Sequence, residues 1–244
     1  MKLYLDVGNS RFKWIQQGQD LATVASSLSA LKSQWQSIKT DISEIIACSV
    51  GKKQTKLQID TLAKKLFGRH VCWQETSAEG FGVENAYAKP ADLGVDRWVA
   101  LIAARALCPD TACVVVDAGT AITVDLLDED GRHVGGVIMA GKMMLVNAIS
   151  NAEQLQGEFS SDVKRANAVC QSTKEAVASG IYFSINGGVR AVIEQQVAQI
   201  NAKINAVPIL VTGGDADMIF LDAANLKFMP NLVLDGLHII GMEK

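Results

Sequence analysis

Two stretches of the chain share one layout, and that repetition constrains the fold more than any other feature. KLYLDVGNSRFKWI (residues 2–15) is an apolar strand that runs into Asp6, breaks at Gly8, Asn9 and Ser10, and resumes as a second strand. VVVDAGTAITVDLL (residues 114–127) repeats it: apolar strand, Asp117, Gly119, Thr120, second strand. Asp6 and Asp117 are 111 residues apart in a chain of 244, so each half opens the same way. The element order that follows matches too. In the first half the patterning predicts strands over 2–7, 11–17 and 21–24. It then predicts a helix carrying Leu28, Leu31, Trp35 and Ile38, a buried strand over 44–50, a helix over 56–67 and a strand over 71–73. In the second half it predicts strands over 113–118, 121–127 and 132–139, a helix from 142 and helix again over 172–203. A strand into Gly213-Gly214, a helix over 215–223, a strand near 227 and a last helix from 231 complete it. Residues 75–92, with Gly80, Gly82 and Pro90, read as a long loop, a length that is often functional. Helices alternating with strands after a three-strand opening imply two α/β units, each a mixed sheet with helices. The expected division is 1–112 and 113–244, with the units facing a central cleft where ligands commonly bind.

An Asp-x-Gly hairpin has a chemical use beyond turning the chain. Gly8 and Gly119 let backbone approach a ligand without a Cβ in the way, and the amides of such a turn form an anion site. Asn9, Ser10 and Thr120 add short donors suited to phosphate oxygens. Asp6 and Asp117 repel phosphate directly and make sense beside a cation, which bridges carboxylate and nucleotide phosphate. Lys13 reaches the same phosphates as a point charge. A tight turn explains either motif taken singly. Two copies at matching positions favour a nucleotide-phosphate clamp, and no P-loop occurs anywhere. The predicted strand–Gly213-Gly214–helix junction would present further amides to a nucleotide, or be a plain turn with an Asp cap.

A kinase also needs a group to accept the proton of the attacking hydroxyl. ADLGVDRWVALIAARAL (91–107) places Asp96 and Arg97 in the first turn of a helix entered through Gly94, with Val95, Trp98 and Ile102 on its buried face. The helix dipole favours Asp there whatever its function. The adjacent arginine and the preceding loop favour a substrate site.

Bulk properties exclude other classes. A net charge of −3 and 20% charged residues offer no basic patch for nucleic acid, which argues against a metal-dependent nuclease. Apolar runs reach only about ten residues before glycine breaks them, so no membrane span is expected. Five scattered cysteines without a C-x-x-C, and histidines at 70, 133 and 238 without metal-ligand spacing, point to a reduced, cytoplasmic protein.

DVGNSRFK at the N-terminus, GVDR at 94–97, DAGTAITVD at 117–125 and GGVIMAG at 135–141 together resemble type III pantothenate kinase, in order and spacing, over essentially the whole chain. That family belongs to the acetate and sugar kinase, Hsp70 and actin superfamily of duplicated actin-like (ribonuclease H-like) domains. The resemblance implies ATP-dependent phosphorylation of pantothenate to 4'-phosphopantothenate, opening coenzyme A synthesis. It implies an ATP site at Asp6, Val7, Gly8, Asn9, Ser10, Arg11, Phe12, Lys13 and Thr120, with Asp6 serving Mg²⁺ indirectly. Tyr87, Gly94, Val95, Asp96, Arg97 and Thr173 would bind pantothenate, with Asp96 the general base. Asp117 would hold a monovalent cation, K⁺ or NH₄⁺, and the protein would be a homodimer. Read from their own surroundings, Tyr87 could equally be a packed loop aromatic and Thr173 a helix-start residue. Four positions depart from the family pattern: Ser10 for threonine, Ala140 for proline, and Lys142 and Met143 where small apolar residues are common. Two alternatives remain at this stage, a kinase for another small hydroxyl acceptor and a nucleotide-binding transcriptional accessory protein without kinase activity.

Overall fold

The computed structural model describes residues 1–151 and 166–242. The chain divides into two compact units, Met1–Leu107 with Asn231–Lys244, and Cys108–Pro230.

The first unit is built on β1 (Lys2–Val7), β2 (Phe12–Gln16), β3 (Thr23–Ala25), β4 (Glu44–Ser49) and β5 (Val71–Trp73), in the order β3-β2-β1-β4-β5. β1 pairs antiparallel with β2 and parallel with β4. Leu3, Leu5, Val7, Ile45 and Ala47 are fully buried, as near-continuous apolar strands covered on both faces must be. Helices α1 (Leu28–Gln36) and α2 (Lys53–Phe67) follow β3 and β4. Ser27 caps α1 by accepting the Ala30 N–H at 3.1 Å, and α2 stops at Gly68 in the left-handed conformation, φ 69°. Leu31, Trp35, Ile59 and Leu62 join the sheet residues in one core.

The second unit repeats this order. β8 (Cys113–Ala118), β9 (Ala121–Leu127), β10 (His133–Ala140), β11 (Ile209–Thr212) and β12 (Leu226–Phe228) stand as β10-β9-β8-β11-β12, again antiparallel on one side of the central strand and parallel on the other. Between the two sheets in sequence lie β6 (Glu79–Gly80), β7 (Val83–Glu84) and α3 (Val95–Leu107). The second unit adds α4 (Lys142–Ser150) and α5 (Thr173–Gln199), and α6 (Leu232–Met242) ends the described chain. The duplicated actin-like, mixed-sheet class expected from the sequence is therefore the observed one.

Among the described residues α5 alone has the length and apolarity of a membrane span. Val177, Ile181, Ile185, Val189, Ile193 and Val197, every fourth residue, are buried in the second unit's core, which accounts for that apolarity. His133 and Asp125 pair inside the second sheet, Nε2 to Oδ1 2.8 Å.

Four expectations change. The expected boundary after 112 moves, because the first unit ends at Leu107 and takes back the C-terminal helix. α6 lies against α3 so closely that a Cβ on Gly236 would fall 2.1 Å from the Val99 carbonyl oxygen. The loop 75–92 contains the short β6–β7 hairpin, whose tip puts Phe81 and Gly82 at φ 54° and 73°, and a 3₁₀ turn at Pro90–Asp92. α3 is buried all round from Arg97 to Ala104 rather than along one face. The helix expected over 215–223 is only a 3₁₀ turn at Ala216–Met218, so no helix N-terminus faces a nucleotide at Gly213-Gly214.

Candidate active site

In the first unit the register sets the site. Asp6 is opposite Lys13 on β2 and Cys48 on β4, so the three side chains form a row across one face of the sheet. Asp6 is half-buried at the strand end, while Asn9, Ser10 and Arg11 in the turn beyond it are exposed. Val7 is fully buried and Phe12 half-buried, so of the residues expected to bind ATP these two belong to the hairpin's packed side. A Cβ on Gly8 would sit 3.2 Å from the Arg11 carbonyl, a tight but not prohibitive approach.

Cys48 is a neighbour of Asp6 that the sequence analysis does not single out. Its thiol donates to Asp6 Oδ1 at 3.6 Å. Burial pushes the thiol's pKa well up, and the charges of Asp6 and Asp96 push it further, so both carboxylates lie near this sulfur. Asp235, on the exposed side of α6, is a second residue not singled out from sequence. Desolvation raises its pKa against the opposing pull of His238 and Lys13.

Asp96 and Arg97 open α3 as expected. Asp96 Oδ1 accepts the Arg97 N–H at 2.8 Å, satisfying one of the amides a helix start leaves without a partner. Gly94 leaves room for that arrangement: a Cβ there would lie 2.7 Å from Asp96 Oδ1, and the carboxylate would have to turn away. Arg97 is buried, 6% exposed, yet its Nη1 donates to the Tyr87 hydroxyl at 3.0 Å and its guanidinium lies 5.6 Å from the Tyr87 ring centre. The structure thus brings together Tyr87 and Arg97, ten residues apart in sequence. A guanidinium held this way is a ready partner for a carboxylate.

In the second unit Asp117 is opposite Thr123 on β9 and Thr212 on β11, a row of oxygen donors where the first unit has an ammonium and a thiol. This hairpin is gripped from outside. Gly213 takes φ 100°, and a Cβ on it would fall 2.3 Å from the Ala118 carbonyl and 2.5 Å from Asp117 Oδ1. A Cβ on Gly141 would fall 2.3 Å from the Thr120 carbonyl. Asp215 donates its N–H to Ala118 O at 2.8 Å. Lys142, one of the departures from the family pattern, pairs with Asp215 at 2.8 Å and so draws the start of α4 onto the same loop. Thr120 itself is exposed. Thr173 is the first residue of α5, exposed beside the capping Ser172, in a groove it shares with Ile149, Cys170, Ala176 and Gly180.

The family model described as type III pantothenate kinase matches residues 2–195. The type III pantothenate kinase of Halorhodospira halophila is 35% identical, over 97% of this chain and 96% of its own. That of Stenotrophomonas maltophilia is 36% identical, over 95% and 93%. Two solved structures share the fold. One is a Campylobacter jejuni protein described as a Baf family transcriptional activator, with TM-score 0.63, 22% identity and coverage of 99% and 98%. The other is the activator of 2-hydroxyisocaproyl-CoA dehydratase from Clostridium difficile with bound ADPNP, with TM-score 0.57, 12% identity and coverage of 99% and 94%.

Proposed function

The chain belongs to the type III pantothenate kinase family, which phosphorylates pantothenate at the start of coenzyme A synthesis, and on that premise we propose a role for each site residue. Asp96 is the general base. It takes the proton of the pantothenate hydroxyl as that oxygen attacks the γ-phosphorus of ATP, the bond to the β–γ bridging oxygen breaks, and ADP leaves. The observation that carries this reading is the carboxylate at the start of α3, anchored through one oxygen to the Arg97 amide and kept clear by Gly94. Arg97 and Tyr87, already joined at 3.0 Å, hold the carboxylate end of pantothenate, and Thr173 makes a further contact to it. Charge building on the phosphoryl group is met by Lys13 and by the amides of the Gly8–Arg11 turn, and in the second unit by Thr120.

The donor chemistry fits the two cations expected. Asp6 offers a hard carboxylate beside an exposed turn, suited to Mg²⁺ held through water, which when bound neutralises nucleotide phosphates. Asp117 offers another, in an oxygen-lined row that Gly213, lacking a Cβ, lets the following loop approach closely, suited to K⁺ or NH₄⁺. A homodimer in the cytoplasm belongs to the same proposal and rests on family resemblance.

Asp96→Asn tests the base. Turnover should fall roughly 10²- to 10⁴-fold while calorimetry finds Mg·ATP binding little changed. Undiminished turnover would remove Asp96 from that role.

A further inference from the structure

We propose that Cys48 is a positioning residue: its thiol holds Asp6 in the orientation that presents the carboxylate to the metal–nucleotide. This rests on the nucleotide role given to Asp6 above.

Three observations carry it. The parallel β1–β4 register pairs Cys48 with Asp6, and the sulfur lies 3.6 Å from Oδ1. Cys48 is fully buried, on a strand whose other buried residues are Ile45, Ile46, Ala47 and, at its end, Ser49, so packing at this position would be served by an aliphatic side chain. The duplicated unit supplies the third. Asp117 has Thr212 at the matching position of its own parallel neighbour, 3% exposed, so both buried neighbours carry a donor rather than a plain hydrophobe.

The choice of donor has a physical reason. A carboxylate near the end of a central apolar strand needs hydrogen-bond partners that the core tolerates. A thiol is small, apolar enough to be buried and still a donor. Unlike an ammonium it is neutral, so it fixes one oxygen of Asp6 without cancelling the charge that a cation needs.

Two substitutions separate positioning from packing. Cys48→Val keeps the site filled with an aliphatic side chain about one methyl larger and removes the donor, and Cys48→Ser keeps a donor and loses volume. Calorimetry of Mg·ADP, and of ADP in excess EDTA, reads metal-dependent binding without turnover. Cys48→Val should weaken Mg·ADP roughly three- to tenfold, leave metal-free ADP and the KM for pantothenate unchanged, and Cys48→Ser should recover most of the loss. In an Asp6→Asn background the valine should cost nothing further. Wild-type Mg·ADP affinity in Cys48→Val, or a greater loss in serine than in valine, would overturn the proposal. Should the valine variant not fold, Cys48→Ala takes its place with the same expected outcomes. If Asp6→Asn itself leaves Mg·ADP binding intact, the nucleotide role of Asp6 fails first. If Asp6→Asn weakens binding and the valine does not, only the role of Cys48 fails.

Discussion

The two Asp-x-Gly hairpins come from the same local pattern and yet are held in different ways. The first projects Asn9, Ser10 and Arg11 into solvent, and the closest atom to a Cβ on Gly8 is its own turn's Arg11 carbonyl. The second is pinned from two directions, by Gly141 at the start of α4 and by the Gly213–Asp215 segment after β11. Their side-chain rows differ as well, Lys13–Asp6–Cys48 against Thr123–Asp117–Thr212. An open turn beside an ammonium suits a large anionic ligand that must enter and leave. A gripped turn among hydroxyls suits a small ion whose coordination depends on fixed oxygens. The repeat therefore gives two copies of one backbone pattern, and under the roles proposed above the residues around each copy divide the labour.

That division can be broken by experiment. The largest effects should come from the acids themselves. Asp6→Asn should reduce kcat/KM for Mg·ATP about 100-fold, and Asp117→Asn should abolish the stimulation of turnover by KCl. Steady-state kinetics over Mg²⁺ and K⁺ titrations would distinguish them, and equal dependence of both variants on both ions would erase the difference. Next comes the grip. Gly213→Ala adds a Cβ into the Ala118 carbonyl at a left-handed φ, and should cost about 2–3 kcal/mol, seen as a Tm lowered by about 5–10 °C. The smallest effect should be Gly8→Ala, below about 1 kcal/mol by thermal melts, since the 3.2 Å contact can relax in an exposed turn. A Gly8 variant as damaging as Gly213→Ala would show the first hairpin to be just as rigidly held.

Much of this was legible in the sequence because it is local or repeated. The strand-to-turn switch at Asp6-Gly8 and again at Asp117-Gly119, and the start of α3 at Gly94-Asp96, are written in neighbouring residues. The common order of elements along the chain followed from the repeat. What was not legible depends on partners far along the chain. Cys48 sits in an apolar run and reads as a core residue until the β1–β4 register sets it beside Asp6. The segment after Gly214 has helical composition, yet Met218, Ile219 and Leu221 are drawn into the second unit's core and only one 3₁₀ turn forms. Lys142 reads in the sequence only as a departure from the family pattern, and its partner Asp215 lies 73 residues away. The boundary after 112 failed for the same reason, since no local signal in Leu232–Met242 says which half it will pack on.

That last helix has a consequence for synthesis. The second unit is one continuous segment, whereas the first is split around it and is completed by α6, laid backbone to backbone on α3 at Gly236. Synthesis runs from the N-terminus, so the segment that emerges first is the one that must wait longest for its last piece. On the ribosome the second unit can close its core while the first still exposes the apolar surface of α3 that α6 will cover.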